Sequence, residues 1–452
     1  MAGGPRGLPG AASRVRSAGR PAAGRPEPPD SPVRGISPNG SCENPEGGRR
    51  GARRGTDVAG RSRILRLLHT SDWHLGRSFH RVGLLSAQEA FVDHLVEVAR
   101  TERVDAVLVA GDVYDRAVPP LAAVELFDDT LHRLADLGVP TVMISGNHDS
   151  ARRLGVAAGL IERAGIHLRT DPAGCATPVL LSDAHGEVAF YGLPYLEPAL
   201  VKDHFGVERA GHAAVLGAAM DRVRADLAAR PAGTRSVVLA HAFVTGGEPS
   251  DSERDITVGG VASVPASVFG GADYAALGHL HGCQTLTERI RYSGSPLAYS
   301  FSETHHRKSV WLVDLGPHGE VAAERIDCPV PRPLARVRGR LEELLADPAL
   351  ERHEQAWVEA TLTDPVRPRE PMARLAARFP HVLTLVFDPE RAEQGPLASY
   401  GRRLRDRTDQ EIAEDFVAHV RGGAEPDGDE RALLGAALDA VRADAARTEA
   451  PR

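Results

Sequence analysis

The stretch Ile64-Leu-Arg-Leu-Leu-His-Thr-Ser-Asp-Trp-His-Leu-Gly76 is a short apolar run that stops on an acid and a histidine two residues apart. Near-continuous apolar runs of this length are the pattern of strands covered on both faces. The run at Ile64–Leu68 has counterparts at Ala106–Ala110, Thr141–Ser145, Ala189–Leu193, Ser236–Ala240 and Tyr274–Leu277. Helical periods separate the first three. One covers Leu84–Arg100, with Leu84, Ala87, Phe91, His94, Leu95 and Val98 on one stripe. The other covers Leu121–Leu137, opened by Pro119-Pro120 and stopped by Gly138. Strand–helix–strand–helix alternation predicts an α/β layered domain.

Most of these runs end in a metal-ligand type. The first leads into Asp72 and His74, and the second into Gly111-Asp112-Val-Tyr-Asp115-Arg116. The third leads into Gly146-Asn147-His148-Asp149, the run at Ser236–Ala240 into His241, and that at Tyr274–Leu277 into Gly278-His279-Leu280-His281. Ligands of layered α/β proteins gather at the carboxyl ends of strands, so these side chains are expected to share one crevice. Asp, Asn and His are hard and borderline donors that suit Mn²⁺, Fe or Zn²⁺. Two such ions about 3.5–4 Å apart can clamp a phosphate and activate water for in-line attack. Gly111, Gly146 and Gly278 are expected to permit the tight turns that aim the side chains after them. In a chain with 19 histidines any one of these pieces is weak. Five of them in the order DxH, GDxxD, GNHD, H, GHxH, each at a strand end, are not.

Composition narrows the class. The chain has 452 residues, 42% apolar and 25% charged, the balance of an ordinary globular protein of two or three domains. It holds no run of about 18 apolar residues, so no membrane-spanning helix is expected. Cys42, Cys175, Cys283 and Cys328 form no CxxC pair, which speaks against a disulfide scaffold or zinc ribbon and for a reducing, cytoplasmic compartment. Residues 1–63 carry 12 Arg and 5 acids, leaving a net charge of -14 for the rest of a chain whose total is -7. That segment, rich in Gly, Pro and Arg and free of aromatics, reads as disordered or as a misassigned start. Lys202 and Lys308 are the only lysines beside 52 arginines.

From Pro331 the texture changes. Leu341–Leu345 and Glu370–Phe379 read as helices, and Ala356–Thr363 and His381–Asp388 as strands, a small α/β unit over 331–390. Arg391–Arg407 is polar and linker-like. Thr408-Asp-Gln-Glu411 then has the form of a capping box ahead of Ile412, Phe416, Val417 and Val420. A last helix is expected from about Glu430, with Leu434, Leu438 and Val441 on one stripe. Two short amphipathic helices beyond a linker suit a docking element, so 391–452 is read as linker and docking helices.

The ordered motifs resemble the calcineurin-like metallophosphoesterase superfamily. Leu67-Leu-His-Thr-Ser-Asp-Trp-His-Leu-Gly76, Val118-Pro-Pro120, and Arg291-Tyr-Ser-Gly-Ser-Pro296 followed by Ser302-Glu303 are similar to its branch of nuclease subunits from double-strand-break repair complexes. The resemblance covers about residues 65–330 strongly and 331–452 by layout. It implies a layered fold of two sheets flanked by helices over 64–330, a capping domain at 331–390 and C-terminal helices. It implies Asp72, His74, Asp112 and His281 on one metal, and Asp112, Asn147, His241 and His279 on the other, with Mn²⁺ as the expected ion. His148 would donate a proton to the leaving oxygen, Asp149 would hold its neighbours, and the role of Asp115 stays open. The implied activity is phosphodiester hydrolysis: 3′–5′ exonuclease on double strands, and endonuclease on single strands and hairpins, on the nucleoid. The implied partners are double-stranded and hairpin DNA, an SMC-like ATPase on the C-terminal helices, and a second copy through helices 84–100 and 121–137. Arg77, His80, Arg81 and Arg116 are candidates for phosphate contacts. No GxxxxGK[ST] is present, so ATP would enter through the partner. A phosphatase or nucleotidase with the same centre is the alternative, supported by the form of the second motif. A non-catalytic subunit that tethers DNA ends is another, disfavoured by the complete ligand set.

Overall fold

The computed structural model describes residues 64–253, 263–390 and 407–449. The expected tail over 1–63 and the linker stretch 391–406 lie outside the described residues. Two six-stranded sheets pack face to face. The first runs in the spatial order Val321–Asp327, Ser309–Leu315, Leu65–Thr70, Ala106–Ala110, Thr141–Ile144, Ile166–Arg169. The second runs Gln284–Thr287, Ile290–Tyr292, Tyr274–Gly278, Arg235–His241, Gly186–Leu193, Val179–Asp183. The four strands from Leu65 to Arg169 are mutually parallel, and so are the four central strands of the second sheet.

The apolar runs are continuous because each strand is covered twice. Leu65, Leu67, Ala106, Leu108, Val142 and Ile144 face the second sheet, where they meet Val188, Phe190, Val237, Leu239 and Tyr274. The alternate residues, Leu68, Val107, Val109 and Met143, face outward. There they pack against Phe91, Val92, Leu95, Leu126, Phe127 and Leu134 of the helices Leu85–Thr101 and Leu121–Leu137. The second sheet is covered likewise by helices Pro198–Phe205 and His212–Ala228. The result is a helix–sheet–sheet–helix sandwich, the layered α/β architecture expected from the alternation.

Several elements are absent from the sequence reading. Ile166-His-Leu-Arg169 and Val321-Ala-Ala-Glu-Arg-Ile-Asp327 lie at sheet edges with one wetter face, so they alternate apolar and polar residues instead of forming a run. Helix His212–Ala228 is likewise absent from the sequence reading, although its buried His212, Val215, Leu216, Ala219, Met220 and Val223 keep a helical period.

A third, all-parallel sheet of Leu334–Gly339, Trp357–Leu362 and Val382–Phe387 carries helices Leu341–Ala346 and Pro371–Arg378 and has its own core around Phe379. It leans on the sandwich through Trp357, whose ring lies 5.2 Å from that of Phe79, which in turn lies 4.9 Å from Phe301. Thr384 and His80 Nδ1 hydrogen-bond across the same seam at 2.9 Å. Helices Asp409–Val420 and Gly428–Glu449 follow, the first opened by the anticipated capping box. Thr408 Oγ accepts from the Glu411 amide at 3.3 Å, and Glu411 Oε2 accepts from the Thr408 amide at 2.7 Å. Among the described residues no helix is long and apolar enough to cross a membrane.

One buried ion pair ties an inner strand of the second sheet, Arg235–His241, to its edge strand, Val179–Asp183. The Arg235 guanidinium, 2% exposed, donates to both oxygens of Asp183 at 2.5 and 2.9 Å. Asp183→Ala leaves that buried charge with carbonyl acceptors alone, and is expected to cost about 3 kcal/mol in urea unfolding followed by circular dichroism.

Candidate metal centre

Because the core strands of each sheet run parallel, their carboxyl ends open at one edge of the sandwich, and the expected donors leave from there. The loops after Thr70 and Ala110 are joined by backbone hydrogen bonds from Asp72 to Gly111, His74 to Asp112 and Leu75 to Val113, at 2.9–3.0 Å. This packing requires unusual backbone. Asp72, His74, Asp112 and His279 all have positive φ, at 55°, 45°, 49° and 105°. Such values in non-glycine residues persist only where the surroundings over-determine them, and they cluster at functional sites. Only one of the three glycines thought to serve turns does so: Gly111 has φ +91°. Gly146 and Gly278 are needed for proximity, since a Cβ would lie 2.2 Å from Asp112 Oδ1 in the first case and 1.9 Å from the Ala110 carbonyl oxygen in the second.

All eight anticipated side chains meet. Asp112 stands in the middle, its Oδ2 3.5 Å from His241 Nε2 and 3.7 Å from His74 Nε2. On one side Asp72, His74 and His281 offer ligand atoms within 4.8 Å of one another, with the two Nε2 atoms of the histidines 3.1 Å apart. On the other, Asn147 Oδ1 lies 2.9 Å from His241 Nε2 and 3.3 Å from His279 Nδ1. Asp72 also groups with Asp112 and His241, and His148 with His74 and Asp112. Asp72, His74, Asp112, His241, His279 and His281 are all buried. Two carboxylates and four imidazoles withdrawn from water at this spacing form a donor set that fits divalent cations.

The electrostatics follow from that crowding. Burial pushes the Asp72 carboxyl up to about 6, against the pull of His241 and His281. Burial also opposes ionisation of Asp112, yet His241, His74 and His148 hold it well below the usual carboxylate range. Conversely, His241 is raised to about 9 by the Asp112 charge in spite of burial. His279 falls to about 3 through burial and the neighbouring His241, and burial drives His74 well below its ordinary value.

An outer layer holds these groups. The Asp149 carboxylate accepts from the amides of Val113, Tyr114 and Gly146 at 2.9–3.1 Å and so ties the second motif to the third. Enclosure and the Asp112 charge push its carboxyl up to about 7. His148 donates its backbone N–H to Asp112 Oδ1 and its Nδ1–H to the Asp115 carbonyl, each at 2.8 Å. Asp115 itself stands behind His74, 3.8 Å from Nδ1, and pairs with Arg77 at 3.5 Å. Arg77 lies 4.8 Å over the Tyr299 ring and is thus part of the framework, while Arg81 and Arg116 are exposed, the latter 3.9 Å from Asp115. Sequence reasoning missed Ser252, Glu253 and Lys308 and assigned Glu303 no role, although all four surround His281. The signal available was Lys308, one of two lysines in a chain whose other basic residues are 52 arginines.

Fold and site together define a calcineurin-like metallophosphoesterase. The family model described as calcineurin-like phosphoesterase matches residues 65–283, and SbcD_C, described as the type 5 capsule protein repressor C-terminal domain, matches 330–421. The SbcD subunit of the SbcCD nuclease from Bacillus subtilis (strain 168) is 33% identical over 387 residues, covering 80% of this chain and 95% of that protein. Its namesake from Staphylococcus saprophyticus is 31% identical over 327 residues, covering 71% and 84%. Among solved structures, TT1561 of Thermus thermophilus aligns over 58% of this chain and 99% of its own at 13% identity and a TM-score of 0.35, a likeness that adds no weight. The chain belongs to the SbcD family and is a metal-dependent nuclease subunit.

A divalent ion bound by His241 has to displace the proton that Asp112 stabilises on that ring. Because the ring's proton affinity is raised to about 9, metal affinity is expected to increase as pH rises from 6 towards 9. Near pH 7.5 uptake should release about one proton at this histidine. Titration calorimetry with Mn²⁺ in buffers of different ionisation enthalpy measures that release, and His241→Ala should abolish it.

Proposed function

We propose that this chain hydrolyses phosphodiester bonds of DNA at a two-metal centre that prefers Mn²⁺. It acts as a 3′–5′ exonuclease on double strands and an endonuclease on single strands and hairpins. The observation that carries this reading is the meeting of buried donors from both sheets around Asp112. Asp72, His74, Asp112 and His281 hold one ion, and Asp112, Asn147, His241 and His279 hold the other. Bound there, the ions supply Lewis acidity that neutralises phosphate charge and acidifies water.

The remaining work falls to the chain's own groups. His148 gives its Nδ1–H to the Asp115 carbonyl, so Nε2 is the nitrogen that delivers a proton to the leaving oxygen. Its backbone N–H on Asp112 fixes the ring's place beside the scissile phosphate. Asp149 keeps the two loops in register. Arg81 and Arg116 give local positive charge to an acidic protein and contact backbone phosphates. The three-stranded unit caps the crevice and selects DNA.

The same reading gives the chain its partners. Helices Asp409–Val420 and Gly428–Glu449 expose Phe416, Val420, Leu433 and Val441 and dock on the SMC-like ATPase SbcC, through which ATP acts. Helix Leu121–Leu137 exposes Leu121 and Val124 and, with helix Leu85–Thr101, joins a second copy. The complex works in the cytoplasm on the nucleoid.

With Mn²⁺, the purified chain is expected to degrade a blunt duplex and open a hairpin. His148→Ala should slow both by about 10²- to 10⁴-fold while Mn²⁺ binding persists. Turnover of a small phosphate monoester with DNA untouched, even with SbcC added, would replace this reading with a phosphatase.

A further inference from the structure

His281 is held from behind by a chain of polar groups, half-buried at Ser252 and buried beyond it, to which the proposed chemistry gives no task. Its Nδ1 lies 2.5 Å from the Ser252 hydroxyl, and that hydroxyl lies 2.5 Å from Glu303 Oε1. The other Glu303 oxygen pairs with Lys308, whose ammonium also donates to the His281 carbonyl and to Ser295 Oγ, both at 2.9 Å. Glu303 and Lys308 are 2% and 4% exposed, so an acid and a base have been buried together behind one imidazole. Burying such a pair is a weak way to gain stability, because desolvation offsets most of the attraction. Its position suggests a different benefit.

Proton counting fixes the direction of every bond in this chain. A carboxylate only accepts, and a serine hydroxyl has a single proton to give. Ser252 therefore donates to Glu303 and accepts from His281. The ring proton then sits on Nδ1, and Nε2, 3.1 Å from His74 Nε2, presents its lone pair. We propose that Glu303 is a positioning residue: acting through Ser252, and itself oriented by Lys308, it holds His281 in the one tautomer whose Nε2 can accept a metal. This rests on the metal centre proposed above.

The proposal ranks two variants. In Glu303→Gln the Lys308 ammonium demands the amide oxygen, which turns the amide NH₂ toward Ser252. The Ser252–His281 bond then reverses and the ring proton moves to Nε2, where it blocks the ligand. Ser252→Ala removes the intermediary alone. Glu303 Oε1 remains 3.6 Å from His281 Nδ1, within reach of a bridging water, so the tautomer survives in part.

Mn²⁺ titrated by calorimetry into the metal-stripped full chain tests this without reference to catalysis. Glu303→Gln should weaken one class of Mn²⁺ site by about 10- to 100-fold, in a protein that melts earlier because the buried Lys308 ammonium has lost its counter-charge, and Ser252→Ala should weaken it by less with a melting curve close to the parent's. Parental affinity in both variants, while His281→Ala loses a site, would overturn the role of Glu303 and leave the metal centre standing. The reverse order of severity would overturn the tautomer argument. Parental binding in His281→Ala would overturn the metal centre itself. Should Glu303→Gln fail to fold, Ser252→Ala, which leaves the ion pair intact, decides alone: weakened binding supports the proposal and parental binding ends it.

Discussion

The Asp112 carboxylate is the point on which the rest of the structure depends. It leaves a fully buried strand, lies within 4 Å of His241 and His74, and accepts the His148 amide at 2.8 Å. Placing a carboxylate there requires compensating groups on every side, since an isolated buried charge is far too costly to persist. The compensation comes from both sheets: His74 and His148 from the first, His241 from the second. The electrostatic demand of one residue thus coincides with the seam that joins the two halves of the sandwich.

That demand explains the backbone around it. Left-handed conformations at Asp72, His74, Asp112 and His279 each cost of order 1–3 kcal/mol. They are sustained because the loops are cross-linked by backbone hydrogen bonds and by the three amides on Asp149. Gly146 and Gly278 allow close approach where a side chain would collide with Asp112 or with the Ala110 carbonyl. The site is rigid by construction, as a centre that must hold several donors ready requires.

The third sheet meets the sandwich close to this centre. Phe301, which packs with Phe79 under Trp357, begins the same short helical segment that carries Glu303. Asp251, adjacent to Ser252, lies 3.9 Å from Arg336 of the third sheet. The contacts that seat the small unit are thus neighbours in sequence of the residues that surround His281.

Much of this was legible in one dimension. Burial on both faces wrote itself as unbroken apolar runs at Ala106–Ala110 and Tyr274–Gly278, and donor types followed those runs because ligands collect at strand ends. The capping box at Thr408 was readable because both its partners lie within one turn. Edge strands such as Ile166–Arg169 escaped because a half-wet strand resembles any polar stretch. The pairing of Leu65–Thr70 with Ser309–Leu315 escaped because its partners lie more than 200 residues apart and no local pattern marks them. The same holds for Ser252, Glu303 and Lys308: a serine, a glutamate and a lysine carry no periodicity, and only folding brings them behind His281. The sequence by itself therefore determined which donor types stand at which strand ends, since apolar runs and ligand chemistry are local properties of residues. Only the tertiary structure decided which donors come within reach of one another and which groups orient them, since those depend on contacts between segments far apart along the chain.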